Sequence, residues 1–218
     1  MSAAGGERQT ATSDRKGTGR AQRQRGAGEG SLTADDWIAC AAEVLETEPV
    51  RSLRIATLCD RLGVTKGSFY WHFGSRQDLL AALLADWRRR MTHDVISRLS
   101  QASPTVDSLL RSTLALIRKK RPGRRTATER GIREWARSEP DARAALLEVD
   151  ETRLAFFEGQ FAKAGFAAEE ARLRGYAAYA LMMGDSVLKD TIGDRVHTER
   201  YLDRVIDMLL KEDSPQAG

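Results

Sequence analysis

The 218-residue sequence predicts an all-α fold of about nine helices. Three observations carry that prediction. Between turn signals, apolar residues recur three and four positions apart, the spacing of a helix face. No alternating strand pattern of useful length and no internal repeat breaks this up. Two short apolar stretches also flank Gly63, the layout of two short helices crossing at a tight turn.

The elements follow in order. Residues 1–31 are rich in Gly, Arg, Gln, Ser and Thr and nearly free of large apolar residues, so they cannot bury enough surface to fold alone. Thr33 caps a first helix whose stripe is Trp37, Ile38, Ala41, Ala42 and Leu45. Two short helices follow, near 54–62 and 65–72, with Gly63 supplying the backbone freedom of the turn. Leu53, Leu58, Leu62, Val64 and Phe69 are spaced to meet beneath them. Ser75 caps a long helix, 75–99, with Asp78 at the capping-box position. Ser103-Pro104 reads as a cap followed by proline at the first helical position, opening the helix of Leu109, Leu110, Leu114 and Ile117. The six basic residues of Arg118–Arg125 make a solvated connection around Pro122-Gly123. Helices near 126–137, 140–164, 168–190 and 197–211 complete the chain, with Gly165 ending the second of these.

Length and composition fit one small domain and one medium one: 41% of residues are hydrophobic and 30% charged. The division expected is a disordered basic tail (1–31), a small head (32–80) and a larger helical body (81–212). No apolar run is long enough for a transmembrane helix, and the N-terminus lacks the apolar stretch of a secretory signal. Cys40 and Cys59 fall on apolar helix positions and read as reduced core thiols, so a cytoplasmic protein with no membrane association is expected. Net charge is +4 but uneven. The tail holds six basic and three acidic side chains (net +3), whereas 32–80 holds five basic and seven acidic (net −2). Any anion-binding face on the head must therefore gather its few cations, with the tail as a possible helper.

The stretch Gly63-Val64-Thr65-Lys66-Gly67-Ser68-Phe69-Tyr70-Trp71-His72-Phe73 is the most informative in the chain. Thr65 is suited to cap the second short helix. Behind it Lys66, Ser68, Tyr70 and His72 offer polar tips that can reach phosphates or base edges, and Gly67 lets backbone come close. From about Leu32 to Leu84 the array resembles the DNA-binding domain of the tetracycline-repressor (TetR) family, most closely at Tyr70-Trp71-His72. The resemblance implies a helix-turn-helix whose second helix enters the major groove of double-stranded DNA. It assigns Arg54, Thr65, Lys66, Gly67, Ser68, Tyr70, Trp71, His72 and Arg76 to the DNA site. Arg76 stands where the family usually has a phosphate-contacting lysine. Three positions depart from the family pattern: Cys59 and Leu62 replace common alanines, and Arg54 replaces a capping threonine, so Arg54 is assigned to a phosphate instead.

No catalytic or cofactor motif occurs, and His72, His93 and His197 lack metal-ligand spacing, so neither an enzyme nor a cofactor or metal is expected. For the body, the resemblance implies dimerisation and ligand binding. The stripe Tyr176, Ala177, Ala180, Leu181, Gly184 and Val187 permits close helix approach, and Leu202, Val205, Ile206 and Leu209 give the last helix a wide apolar face. Two such helices per subunit would form a four-helix bundle, although part of each stripe also serves the subunit's own core. Trp135, Phe156, Phe157, Phe161, Tyr176, Tyr179, Met182 and Met183 are candidates for an apolar effector pocket, though such residues more often build cores. The expectation is a homodimeric transcriptional regulator, a repressor released from a near-palindromic operator by an unknown small molecule. The alternative is a ligand-independent DNA-binding co-regulator or architectural protein with the same head.

Overall fold

The computed structural model describes residues 32–118, 124–192 and 199–211, which fall in one compact unit. The predicted tail 1–31 and most of the basic loop 118–125 lie outside the described residues. The elements are α1 (Ala34–Leu45), a 3-10 turn (Val50–Ser52), α2 (Ile55–Leu62), α3 (Lys66–His72), α4 (Arg76–Arg88), a π turn (Arg89–His93), α5 (Asp94–Ala102), α6 (Val106–Arg118), α7 (Arg124–Trp135), α8 (Pro140–Lys163), α9 (Ala168–Ile192) and α10 (Glu199–Leu210). With α4, the π turn and α5 taken as one interrupted helix, the described residues form nine helices and no strand. None is long and apolar enough to cross a membrane.

Local chemistry explains several boundaries. Thr33 and Asp36 form a full capping box: the Asp36 amide donates to the Thr33 hydroxyl, and the Thr33 amide to the Asp36 carboxylate at 2.7 Å. Ser75 accepts from the Asp78 amide at 3.2 Å without a reciprocal bond. The opening of α6 differs from expectation. Pro104 stays outside the helix, and Thr105 caps it by accepting from the Ser108 amide at 3.2 Å. Ser103 is buried and bonds Ser112 instead. The predicted helix 75–99 extends to Ala102 and contains the π turn, whose wider hydrogen-bond ring periodicity alone does not reveal.

Two apolar cores organise the molecule. The first gathers Trp37, Val44, Leu53, Leu58, Phe69, Leu79, Leu83 and Trp87 from α1–α4 and continues into Ile132, Trp135, Ala142 and Val149 of α7 and α8. The second joins Leu99, Leu109, Leu114, Phe157, Phe161, Tyr179 and the α10 residues Leu202, Val205, Ile206 and Leu209. The small helices at the front therefore share their interior with the body. A glycine makes this possible: a Cβ on Gly131 of α7 would overlap the Leu45 carbonyl oxygen at the end of α1.

Candidate nucleic-acid interface

Helix α2 ends on Gly63, which adopts φ +70°, the left-handed conformation that closes a helix. The Val64 amide returns to the Cys59 carbonyl at 3.0 Å and turns the chain into α3. Phe69 fixes the roll of α3. It is wholly buried, edge-on to Trp37 at 5.3 Å and beside Phe73 at 5.6 Å. Leu53 and Leu58 are equally buried, while Leu62 and Val64 are half-buried. With Phe69 inward, the helical repeat sends Lys66 and Tyr70 out along one row and Gly67 and Trp71 along the next.

The exposures match that geometry. Lys66 and Gly67 are exposed, Tyr70 is 56% exposed and Trp71 88%, whereas the other three tryptophans are buried. Ser68 and His72 flank that surface, and both are half-buried. Thr65 holds the N-cap backbone position but makes no side-chain cap bond, which leaves its hydroxyl on the outer surface. Arg54 is exposed at the N-cap of α2, likewise without a cap bond. Arg51, exposed in the 3-10 turn just before it, is a further cation that the motif does not include. Its place three residues ahead of Arg54 was the only available signal.

Arg76 departs from its assignment as a phosphate holder. Its Nε donates to the Leu53 carbonyl at 2.6 Å and its Nη2 to the Val50 carbonyl at 2.8 Å. The half-buried guanidinium thus braces the turn that carries Arg51 and Arg54. A lysine ammonium lacks the planar fork that spans two carbonyls this way.

Residues 38–83, which hold all of α2 and α3, match the family model described as bacterial regulatory proteins of the tetR family. Over this head the chain is similar to the TetR family. Over 55 residues it is 38% identical to the HTH-type transcriptional regulator TtgR of Pseudomonas putida, a stretch that spans 25% of this chain and 25% of that relative. The whole fold is similar to that of Salmonella enterica GusR, with a TM-score of 0.62 and 19% identity over 83% of this chain and 97% of that one. It is also similar to a TetR transcriptional regulator from Legionella pneumophila, with a TM-score of 0.63 and 15% identity over 84% and 97%. At these identities the structural likeness speaks for the fold: a TetR-type head followed by a helical body.

The body residues fall differently. Trp135 belongs to the first core, whereas Phe157, Phe161 and Tyr179 lie in the second with Met183 packed against it. Met183 is half-buried beside an ionic cluster, 4.0 Å from the Arg133 guanidinium. On α9, Tyr176 is 64% exposed, Val187 53%, Ala180 is exposed, and a Cβ on Gly184 would meet open space. That stripe faces outward. Leu202, Val205, Ile206 and Leu209 of α10 do not. They are buried in the second core of their own subunit, because α10 packs its apolar side on α6 and α9. In the subunit they serve its own core.

Proposed function

We propose that the chain is a homodimeric transcriptional regulator of the cytoplasm that binds a near-palindromic operator and is released from it by a small molecule, acting as a repressor. The observation that carries this reading is the outer surface of α3. A buried Phe69 anchors the helix while lysine, tyrosine and tryptophan project from it into solvent. Lys66 would reach a base edge with Ser68 beside it, and Tyr70, His72, Arg54 and Arg51 would hold phosphates. The outward stripe of α9 supplies the second requirement, a surface for another copy, which would place two heads on one operator. Functionally the chain divides into a tail (1–31), a reading head (32–80) and a dimerising, effector-responsive body (81–212). The basic tail would add sequence-independent affinity to the head.

Selection of DNA from a random pool by the purified protein tests this reading. Recovery of a two-fold symmetric sequence, with half-sites one helical turn of roughly 34 Å apart, is the expected result. Enrichment of no sequence would overturn it. One observation favours the second reading, a ligand-independent DNA-binding protein: the aromatic residues suited to an effector pocket are divided between two packed cores. A metabolite screen by thermal shift, repeated for operator release, separates the two.

A further inference from the structure

Where α4 passes into the body, the helix widens into the π turn Arg89–His93. Such turns are rare and carry one residue more than the α-helix they interrupt, so they persist where neighbours hold the displaced backbone groups. Here the neighbour is Arg153 of α8, itself buried. Its Nη2 donates to the Met91 carbonyl inside the π turn at 3.1 Å. The same guanidinium makes a two-bond pair with Glu129 of α7, Nη1 to Oε1 at 2.8 Å and Nη2 to Oε2 at 3.0 Å. Its Nη1 also lies 3.3 Å from the Tyr179 hydroxyl of α9. One side chain thus binds the interrupted helix to three others.

The surroundings are ionic and closed. Burial alone would raise the Glu129 carboxyl, but Arg153 and Arg133 outweigh it and hold the group below its ordinary value, so the pair is charged. Arg133 pairs with Asp150 at 2.7 Å. Burial pushes the Tyr179 hydroxyl up to about 12, and it donates to Asp150 at 2.5 Å. Thr92, in the π turn and buried, has a hydroxyl oxygen with no partner. A buried ion pair is weak as a source of stability, because desolvation offsets most of its attraction, and apolar residues of like volume serve a core as well. Its use here is geometric.

We propose that Arg153 is a positioning residue for the DNA-reading head: by holding the Met91 carbonyl while paired with Glu129, it fixes the π register that sets α4 relative to the body. Without that hold the turn can return to α-helical bonding. The surplus residue must then be taken up as rotation of about 100° per residue or as about 1.5 Å of axial travel. Helix α4 would carry that change toward the head. This rests on the reading that the head binds DNA only for the effect on affinity; the local effect stands apart from it.

The test compares wild type with Arg153→Lys, which keeps a positive charge but cannot serve Glu129 and Met91 together, and with Glu129→Gln, which keeps an acceptor and removes the charge. Amide hydrogen exchange and affinity for DNA selected by the wild-type protein are measured on the full chain. The expected result is exchange at least tenfold faster over residues 89–98 in both variants, wild-type rates in α1 and over residues 168–188 of α9, and DNA affinity lowered at least tenfold. Wild-type exchange at 89–98, an equal rise along the whole chain, or melting of both variants would make the pair a structural strut and overturn the proposal. Faster local exchange with unchanged DNA affinity would overturn it as well. If the wild-type protein selects no DNA, the functional reading fails, while the exchange data still decide whether Arg153 holds the turn.

Discussion

Lys66 and Arg76 carry the same charge ten residues apart, and the structure gives them opposite work. Lys66 is exposed on the outer face of α3, whereas Arg76 spends two donors on the carbonyls of Leu53 and Val50. Lys66→Ala should leave the melting temperature unchanged, cost about 1–3 kcal/mol of operator binding and relax preference at one base pair per half-site, as read by competition gel shift. Arg76→Ala should instead destabilise the protein in the absence of DNA. Leaving polar groups unsatisfied in a part-buried place costs about 1–3 kcal/mol, visible in urea titration. Unchanged stability with affinity lowered evenly across sequences would return Arg76 to a phosphate role. The sequence supplied residue type and position along the chain, which sufficed to place Lys66 in solvent. It did not suffice for Arg76, whose partners lie 23 and 26 residues away. The Arg153–Glu129 pair was hidden for the same reason.

Among the elements, the helices were legible wherever a cap or an apolar stripe was strong. Thr33 and Ser75 open α1 and α4 as their sequence signals imply. At α6 two competing signals stood side by side, and the Thr105–Ser108 pair prevailed over Ser103-Pro104 because its side chains satisfy amide groups that proline cannot. The direction in which a stripe faces was less legible. The stripes of α9 and α10 look alike as patterns, yet α9 turns Tyr176 and Val187 outward and α10 turns Leu202 and Val205 inward. Only the packing of α10 on α6 and α9 distinguishes them. Two glycines test these placements. In α3, a Cβ on Gly67 would come no closer than 3.5 Å to the Thr65 hydroxyl, so Gly67→Ala should fold normally, with any stability change within about 1 kcal/mol in favour of the variant. Its operator affinity should nevertheless fall, since the added methyl would stand on the face proposed to meet DNA. Equal affinity would place that face away from the groove. Gly131→Ala, whose methyl meets the Leu45 backbone, should lower the melting temperature by forcing α7 from α1.

For the whole molecule, the proposed dimer would rest on α9. A subunit whose α10 residues Leu202, Val205, Ile206 and Leu209 close its own core cannot also offer them to a partner. The remaining outward apolar side chains on the last two helices include Tyr176, Val187 and Leu188 of α9 and Met208 of α10. Between Tyr176 and Val187 lie Ala180 and Gly184, small residues that allow two helix backbones to approach closely. An interface built on this stripe makes a definite distinction between two charge insertions. Val187→Glu puts a carboxylate on a side chain that is 53% exposed in the subunit, so the subunit should keep its fold and melting behaviour. Across a two-fold axis the same carboxylate would meet apolar surface from the partner, where an unpaired charge costs several kcal/mol. Light scattering at micromolar concentration should then show a dimer for wild type and a monomer for Val187→Glu, and operator affinity should drop with the dimer because each head would hold one half-site alone. Leu202→Glu should act differently, lowering the melting temperature whatever the state of assembly, because it buries the charge inside the subunit. A folded, dimeric Val187→Glu would move the interface off this stripe. A Leu202→Glu variant that is monomeric yet as stable as wild type would return α10 to the interface.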